Sequence, residues 1–372
     1  MGRNALILVV GFAVILGIMR LALHGGEQAM SQVSYDRFEE SAARNAAHGG
    51  ISLAVNQLRQ NPDWRTGFTN LVLDSVTVNV DVIDSLSDPS LAENEVRVEA
   101  YGALGGDSAE VFATMTVDEL PGLGSVFSAL TANSNTQTLG TMKVDGRDHA
   151  MWDYETVYSG SGTWGIVTSE EIFRGGNSMI GGTTPGGVDY EPARTGWDPV
   201  VLENYVWPGG FPQTPEEAIG GTEFGWTPGS LKELAQSGFN GSQYVTDPLD
   251  LVYPLQGVTY VEMPTSSGSN TWQPVDLLEN GTGLLVVHND STNAMMYNIN
   301  ACVFRGMIIS DDLMHMHATV VGAVFVLTEE PAYGNCIGNG TGDILYSRES
   351  LRAVLGAIGM PVAHLDLYNY WE

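Results

Sequence analysis

From Ala5 to Met19 the chain reads ALILVVGFAVILGIM, with no charged or strongly polar side chain, before Arg20 and then Gly25-Gly26 interrupt it. A run of about 15 residues makes roughly 22 Å of helix, short of a bilayer core, and Leu21 to Leu23 bring it to spanning length. Arg20 would then lie near the far edge, with its aliphatic stem in apolar surroundings and its guanidinium at the interface. The run is open to three uses: a cleaved secretion signal, a membrane anchor, or a helix that packs against copies of itself. The residues that follow, RLALHGGEQ, lack the small-x-small site a signal needs. Leu6, Ile7, Val10, Phe12, Val14, Ile15 and Ile18, with Met30, Phe38, Ala42, Ala46, Gly50 and Ala54 further along, are the residues of the expected assembly helix.

The helical period continues from Glu27 to Gln60. Met30, Phe38, Ala42, Ala46, Gly50, Ala54 and Leu58 recur at multiples of four residues, while Asp36, Arg37, Glu39, Glu40 and Arg44 fall mostly elsewhere. Asn61-Pro62 ends the helix. Small residues along a stripe let another backbone come close, so this face is expected to meet either a second helix or the chain's own sheet.

Beyond Pro62 the period changes to two. Val76, Val78, Val80 and Val82 alternate with Thr77, Asn79 and Asp81, and Val96, Val98 and Ala100 follow suit, which predicts half-buried antiparallel strands. Periodicity is lost over PGLGSVFSALTANSNTQT, and then GVTYV, GLLVV, GMIIS and GAVFV begin at Gly257, Gly283, Gly306 and Gly322, spaced by about 26, 23 and 16 residues. Glycine-led strand runs at such spacing suit rungs of a β-solenoid, and an irregular sandwich yields similar short strands. Short helices are expected at TPEEAIG, SLKELAQSG and YSRESLRAVLGAIG, the last with Ser347 as N-cap. The expected fold is α+β: a long N-terminal helix over 1–62, a small antiparallel sheet over 63–120, a linker at 121–138, and a glycine-rich, mainly-β domain over 139–372, read as a β-solenoid with an insertion at 183–250.

Composition narrows the partners. Forty-four acidic residues face 15 basic ones, a formal net charge of −29, and Lys143 and Lys232 are the only lysines. Nucleic acid is therefore not an expected partner. Cys302 and Cys336 are a candidate disulfide, whose closure of about 34 residues would add about 4 kcal/mol on the chain-entropy model; two separate thiols fit the sequence as well.

Candidate chemistry is sparse. Asp145, Asp148 and Asp153 surround a glycine turn and offer oxygen ligands for calcium, although Asp in a turn also serves its own backbone. His315 and His317, two apart on a predicted strand, make half of a transition-metal site, with no second histidine pair to complete it. No Walker loop, GxSxG elbow, HExxH helix or CxxC motif occurs, so no cofactor is expected and an enzymatic role is not. The tryptophans Trp152, Trp164, Trp197, Trp207, Trp226 and Trp272 suit either a sugar-binding surface or ordinary core positions.

The apolar helix, its continuation NAAHGGISLAVNQLRQNPDW, the strand pair and the β region beginning TMKVDGRDH together resemble the type IV pilin superfamily, in particular PilX-type minor pilins with a large C-terminal part. The stretch Ala46-Ala47-His48-Gly49-Gly50 stands where that family carries a small-residue segment. The family's glutamate, five residues into the mature helix, has no counterpart: the fifth residue after Gly2 is Ile7, and the first acidic side chain is Glu27. The resemblance implies a subunit that joins copies of itself and other pilin-like subunits through the N-terminal helix. It would reside in the inner membrane before assembly and in an extracellular filament or on the cell surface afterwards, with a surface glycan as a candidate ligand. The alternatives are an anchored or secreted carbohydrate-binding adhesin and, third, a solenoid polysaccharidase.

Overall fold

The computed structural model describes residues 2–371 apart from 93, 120–122, 124–125, 275–280, 301 and 361–362; the side chains of 2–11, 25, 27–29, 118–119 and 363–364 also lie outside the described residues. The chain forms two compact units, one made of Met1–Glu119 with Ala363–Glu372, the other of Leu120–Val362.

In the first unit a single helix, α1, runs over Gly2–Gln60 and stops where Asn61-Pro62 removes the next backbone donor. Four antiparallel strands follow, β1 (Phe68–Leu73), β2 (Val76–Asp84), β3 (Glu95–Leu104) and β4 (Asp107–Glu119), and the closing strand Ala363–Trp371 pairs with β4. The final nine-residue strand was expected in the C-terminal β domain and belongs to this sheet instead, with Ala363 opposite Glu119. The second unit is thus inserted in the chain between two neighbouring strands of the first. One face of the sheet buries Val78, Val80, Val98, Ala100, Val111, Ala113 and Met115, all at most 1% exposed, under Ala47, Ile51, Ala54 and Leu58 of α1.

In the second unit the glycine-led runs become neighbouring parallel strands. Val258–Glu262, Gly281–His288, Val303–Ser310 and Thr319–Val326 pair in sequence order, in phase, so that Gly283, Gly306 and Gly322 lie side by side. After each of these the chain crosses to a second parallel sheet through Thr271–Trp272, Met295–Ile299, Asp312–Met316 and Cys336–Gly340. A Cβ at Gly306 would fall inside the van der Waals envelope of the Gly283 carbonyl oxygen, and one at Gly322 inside that of Gly306; both residues also have positive φ.

The order of stacking differs from the order of the chain. Ser128–Ala132, Thr136–Gly140 and Lys143–Asp145 pair in parallel with Thr319–Val326, Cys336–Gly340 and Asp343–Tyr346, so the last coil of the chain lies on the first. The chain enters this stack in its middle and builds outward through Trp164–Thr168, Ile172–Arg174 and Met179–Thr183. It then resumes at Gln243–Val245, at the far end of the order, and returns to the middle. The stretch expected as a linker, 121–138, therefore contains two core strands. The hydroxyls of these strands are placed against partners: Ser128 and Thr131 share a hydrogen bond of 2.7 Å, Thr136 lies 3.4 Å from the Cys336 thiol and Thr138 lies 3.2 Å from the Ser178 hydroxyl. Short helices Pro215–Ala218, Ser230–Ser237 and Arg348–Ala357 stand where they were expected, and the Ser347 hydroxyl accepts the Ser350 N–H.

Candidate functional site

Helix α1 has two halves of different character. Phe12, Val14, Ile15, Ile18, Met30 and Phe38 are 62%, 55%, 57%, 62%, 75% and 65% exposed. Leu6, Ile7 and Val10 complete the expected surface, but their side chains lie outside the described residues. Among the described residues Glu39 is the first that is buried, and from Ala43 onward the helix rests on the sheet. The stripe of Ala42, Ala46, Gly50 and Ala54, expected as an assembly surface, faces this unit's own strands. A Cβ on Gly50 would stand 2.8 Å from Val78 Cγ1 and 3.0 Å from Val80 Cγ2, so the small residue is demanded from within. Periodicity shows which residues share a face and is silent on which partner covers it.

Among the described residues no helix is long and apolar enough to cross a membrane. Past Phe12 the apolar run meets Arg20 and His24 too soon, and the earlier side chains of the expected span lie outside the described residues.

The calcium candidates do not converge. Asp145 receives Arg147 Nη2 at 2.8 Å and lies 3.1 Å from His149 Nε2. Asp148 accepts the backbone N–H and the Nε of Arg348, each at 2.9 Å, and Asp153 accepts the Thr156 hydroxyl at 2.8 Å. Cations take the positions a metal would need, and one of them comes from 200 residues away in the chain. Burial alone raises the Asp145 carboxyl, but hydrogen bonds from His149 and Arg147 outweigh it and hold the group below its ordinary value. For Asp148 burial prevails over Arg348 and the carboxyl is raised.

His315 and His317 also go separate ways. The His315 ring lies 5.1 Å from that of Tyr297, and His317 Nδ1 is 2.9 Å from the Thr341 hydroxyl. Among the described residues no group of three or more His, Cys, Asp or Glu is placed to hold a metal ion. Cys302 and Cys336 are not joined: the Cys302 thiol donates to the Asn300 carbonyl at 3.1 Å, while Cys336 lies fully buried beside Thr136, where desolvation pushes its thiol up to about 12.

Two polar clusters had no sequence signal. Asp311, fully buried, takes His288 Nδ1 at 2.5 Å and the N–H groups of Asn289 and Ala294 at 3.0 Å, which clamps the turn between two coils. Next to it in register, Glu262 receives Lys232 at 2.6 Å and the Tyr244 hydroxyl. Burial raises the Glu262 carboxyl and these donors bring it below its usual value. Neither cluster was legible before the coils were stacked, because the members come from separate coils.

Comparison with known proteins adds little. No family model matches the chain, and no curated protein matches it. Among solved structures it is similar to the competence-associated pilin ComZ from Thermus thermophilus, at 13% identity and a TM-score of 0.32, over 90% of this chain and 97% of that one. At that score the reading of this protein rests on its own geometry.

Proposed function

We propose that this protein is a structural, pilin-like subunit of an extracellular filament, assembled through the first half of α1. The observation that carries the reading is the exposure of Phe12, Val14, Ile15, Ile18, Met30 and Phe38 on a helix whose second half is fixed to its own sheet. An apolar surface so displayed needs a covering partner. Burying on the order of 1,000 Å² of it gives roughly 25 kcal/mol at about 25 cal/mol per Å², before ordering costs. Apolar packing of that size drives association without the buried ion pair that the helix lacks. In this reading the helix rests in the inner membrane before assembly and lies among copies of itself, or of related subunits, afterwards, and the protein has no catalytic role. The parallel coils of the second unit form a β-solenoid displayed on the filament or cell surface.

Deletion of Ala5 to Leu23 tests the proposal. The truncated chain is expected to remain folded and β-rich by circular dichroism while losing sedimentable filaments in sheared extracellular fractions viewed by electron microscopy. Filaments of normal abundance from the truncated chain overturn it.

A further inference from the structure

At one end of the coil order in the second unit, the three-residue strand Ile172–Arg174 forms the open edge of the six-stranded sheet. Together with the loop 194–198 it lines a cavity of about 500 Å³, bounded by Phe173, Arg174, Arg194, Trp197 and Asp198. That size lies within the range of small-ligand sites.

The cations of this cavity differ from most in the unit. Elsewhere Lys143 meets Asp343, Arg147 meets Asp145, Lys232 meets Glu262 and Arg348 meets Asp148, while Arg305 donates to the Met151 carbonyl and lies over the Trp152 ring. In a chain with 44 acidic and 15 basic residues such pairing is easily arranged. Arg174 instead donates to two carbonyls, those of Arg194 at 2.6 Å and Gly176 at 2.9 Å, and so holds the loop in place without a salt bridge among the described residues. Arg194 is exposed and forms no salt bridge among the described residues. Two aromatic side chains line the same cavity: Phe173 is 48% exposed, and Trp197 is half-buried against the core.

We infer that this cavity is a binding site for a carboxylate-bearing saccharide, a uronic-acid unit of a surface polymer. A guanidinium presents a planar fork that matches a carboxylate in two parallel hydrogen bonds. The C–H face of a pyranose ring is apolar and packs on Phe173 or Trp197, while the Asp198 carboxylate accepts from its hydroxyls; the Ile172 N–H of the strand edge is taken by Glu203. The net charge of −29 repels an acidic polymer at long range, but screening over about 8 Å at physiological ionic strength leaves the local groups in control: the guanidinium groups of Arg174 and Arg194, set against Asp198 in the lining and Glu203, whose carboxylate accepts the Ile172 N–H at 3.3 Å. An acidic peptide added as a strand fits less well, because three residues of edge are too short for strand addition.

The inference is independent of filament assembly and is tested on unassembled, full-length protein in mild detergent. By titration calorimetry, tetragalacturonate is expected to bind at least about tenfold more tightly than neutral galactotetraose, and Arg194→Ala to weaken it about tenfold, the equivalent of about 1.4 kcal/mol. Arg194→Lys should retain part of the affinity, and Phe173→Ala should weaken both sugars together. Both positions are exposed, so unchanged melting temperatures confirm that the variants are folded. Absence of tetragalacturonate binding, equal affinity for the neutral sugar, or indifference to both Arg194→Ala and Phe173→Ala overturns the site. Tetraglutamate binding as tightly as the uronate overturns it in favour of an acidic peptide.

Discussion

In the first unit the sheet is covered mostly by side chains, with one backbone approach, where Gly102 lies under the Ala43 carbonyl of α1. Val78, Val80 and Ala100 meet Ala46, Gly50 and Ala54 of α1, and the buried residues are almost all apolar, with Glu39 and Thr114 as the polar exceptions among those described. In the second unit neighbouring coils approach through backbone as well as side chains. Gly283, Gly306 and Gly322 stack carbonyl against Cα, and Ser134, Thr136, Asp145, Asp148, Asp311 and Asp312 are buried at 3% exposure or less. A side-chain contact yields by rotamer changes and small shifts. A backbone contact repeated in phase has nowhere to go, and a buried carboxylate tolerates only the donor set it already has.

This contrast predicts a graded series of effects. Gly306→Ala should be the most damaging: it places a methyl in the Gly283 carbonyl and asks alanine to hold a positive φ, at a cost above about 3 kcal/mol. Thermal unfolding followed by circular dichroism should show loss or a marked downward shift of the transition of the second unit. An unchanged transition would mean that the glycine column is not what limits stacking.

Asp145→Asn comes next, at about 2 kcal/mol near neutral pH, because Arg147 and His149 lose a buried acceptor of full charge. The Asp145 carboxyl titrates below its unfolded value, so its stabilisation is complete above about pH 4 and is lost as pH falls through the lowered folded value. The gap between wild type and variant should therefore narrow on acidification below about pH 4. The raised carboxyls of Asp148, Asp312 and Asp343 act with the opposite sign: they weaken the fold when ionised, and acidification relieves them. They are present in both proteins, so the difference isolates Asp145. A gap that stays constant from pH 7 to pH 3 would remove the charge from this account.

Ala46→Leu overpacks the contact between α1 and the sheet and should cost about 2 kcal/mol, lowering the melting temperature of the first unit by several degrees. Normal stability together with defective assembly would return this stripe to an interface between subunits. Phe38→Ser should have the smallest effect on the isolated chain, within about 0.5 kcal/mol, because the ring is 65% exposed, yet it should reduce sedimentable filaments. Loss of stability with intact filaments would reverse the assignment of the two halves of α1.

Local order was legible in the amino-acid pattern by itself. The end of α1 at Asn61-Pro62, the alternation of Val76 to Val82, and the strands led by Gly283, Gly306 and Gly322 each depend on a period or breaker within a few residues. Of the candidate site, the apolar positions of α1 could be named in advance, and their exposure from Phe12 to Phe38 follows from how far the helix extends before the sheet begins to cover it. Tertiary structure alone decided the rest. The stretch 121–138 resembles a linker because its buried strands use Ser and Thr, and the hydroxyls of Thr136 and Thr138 meet Cys336 and Ser178 only once the coils stack. The return of Ala363–Trp371 to β4, the capture of Asp148 by Arg348, and the meeting of Arg174 with the loop at Arg194 join positions 20 to more than 200 residues apart. A side chain's periodicity reports the face it occupies; what covers that face depends on where the chain has gone in the meantime, and no local pattern records it.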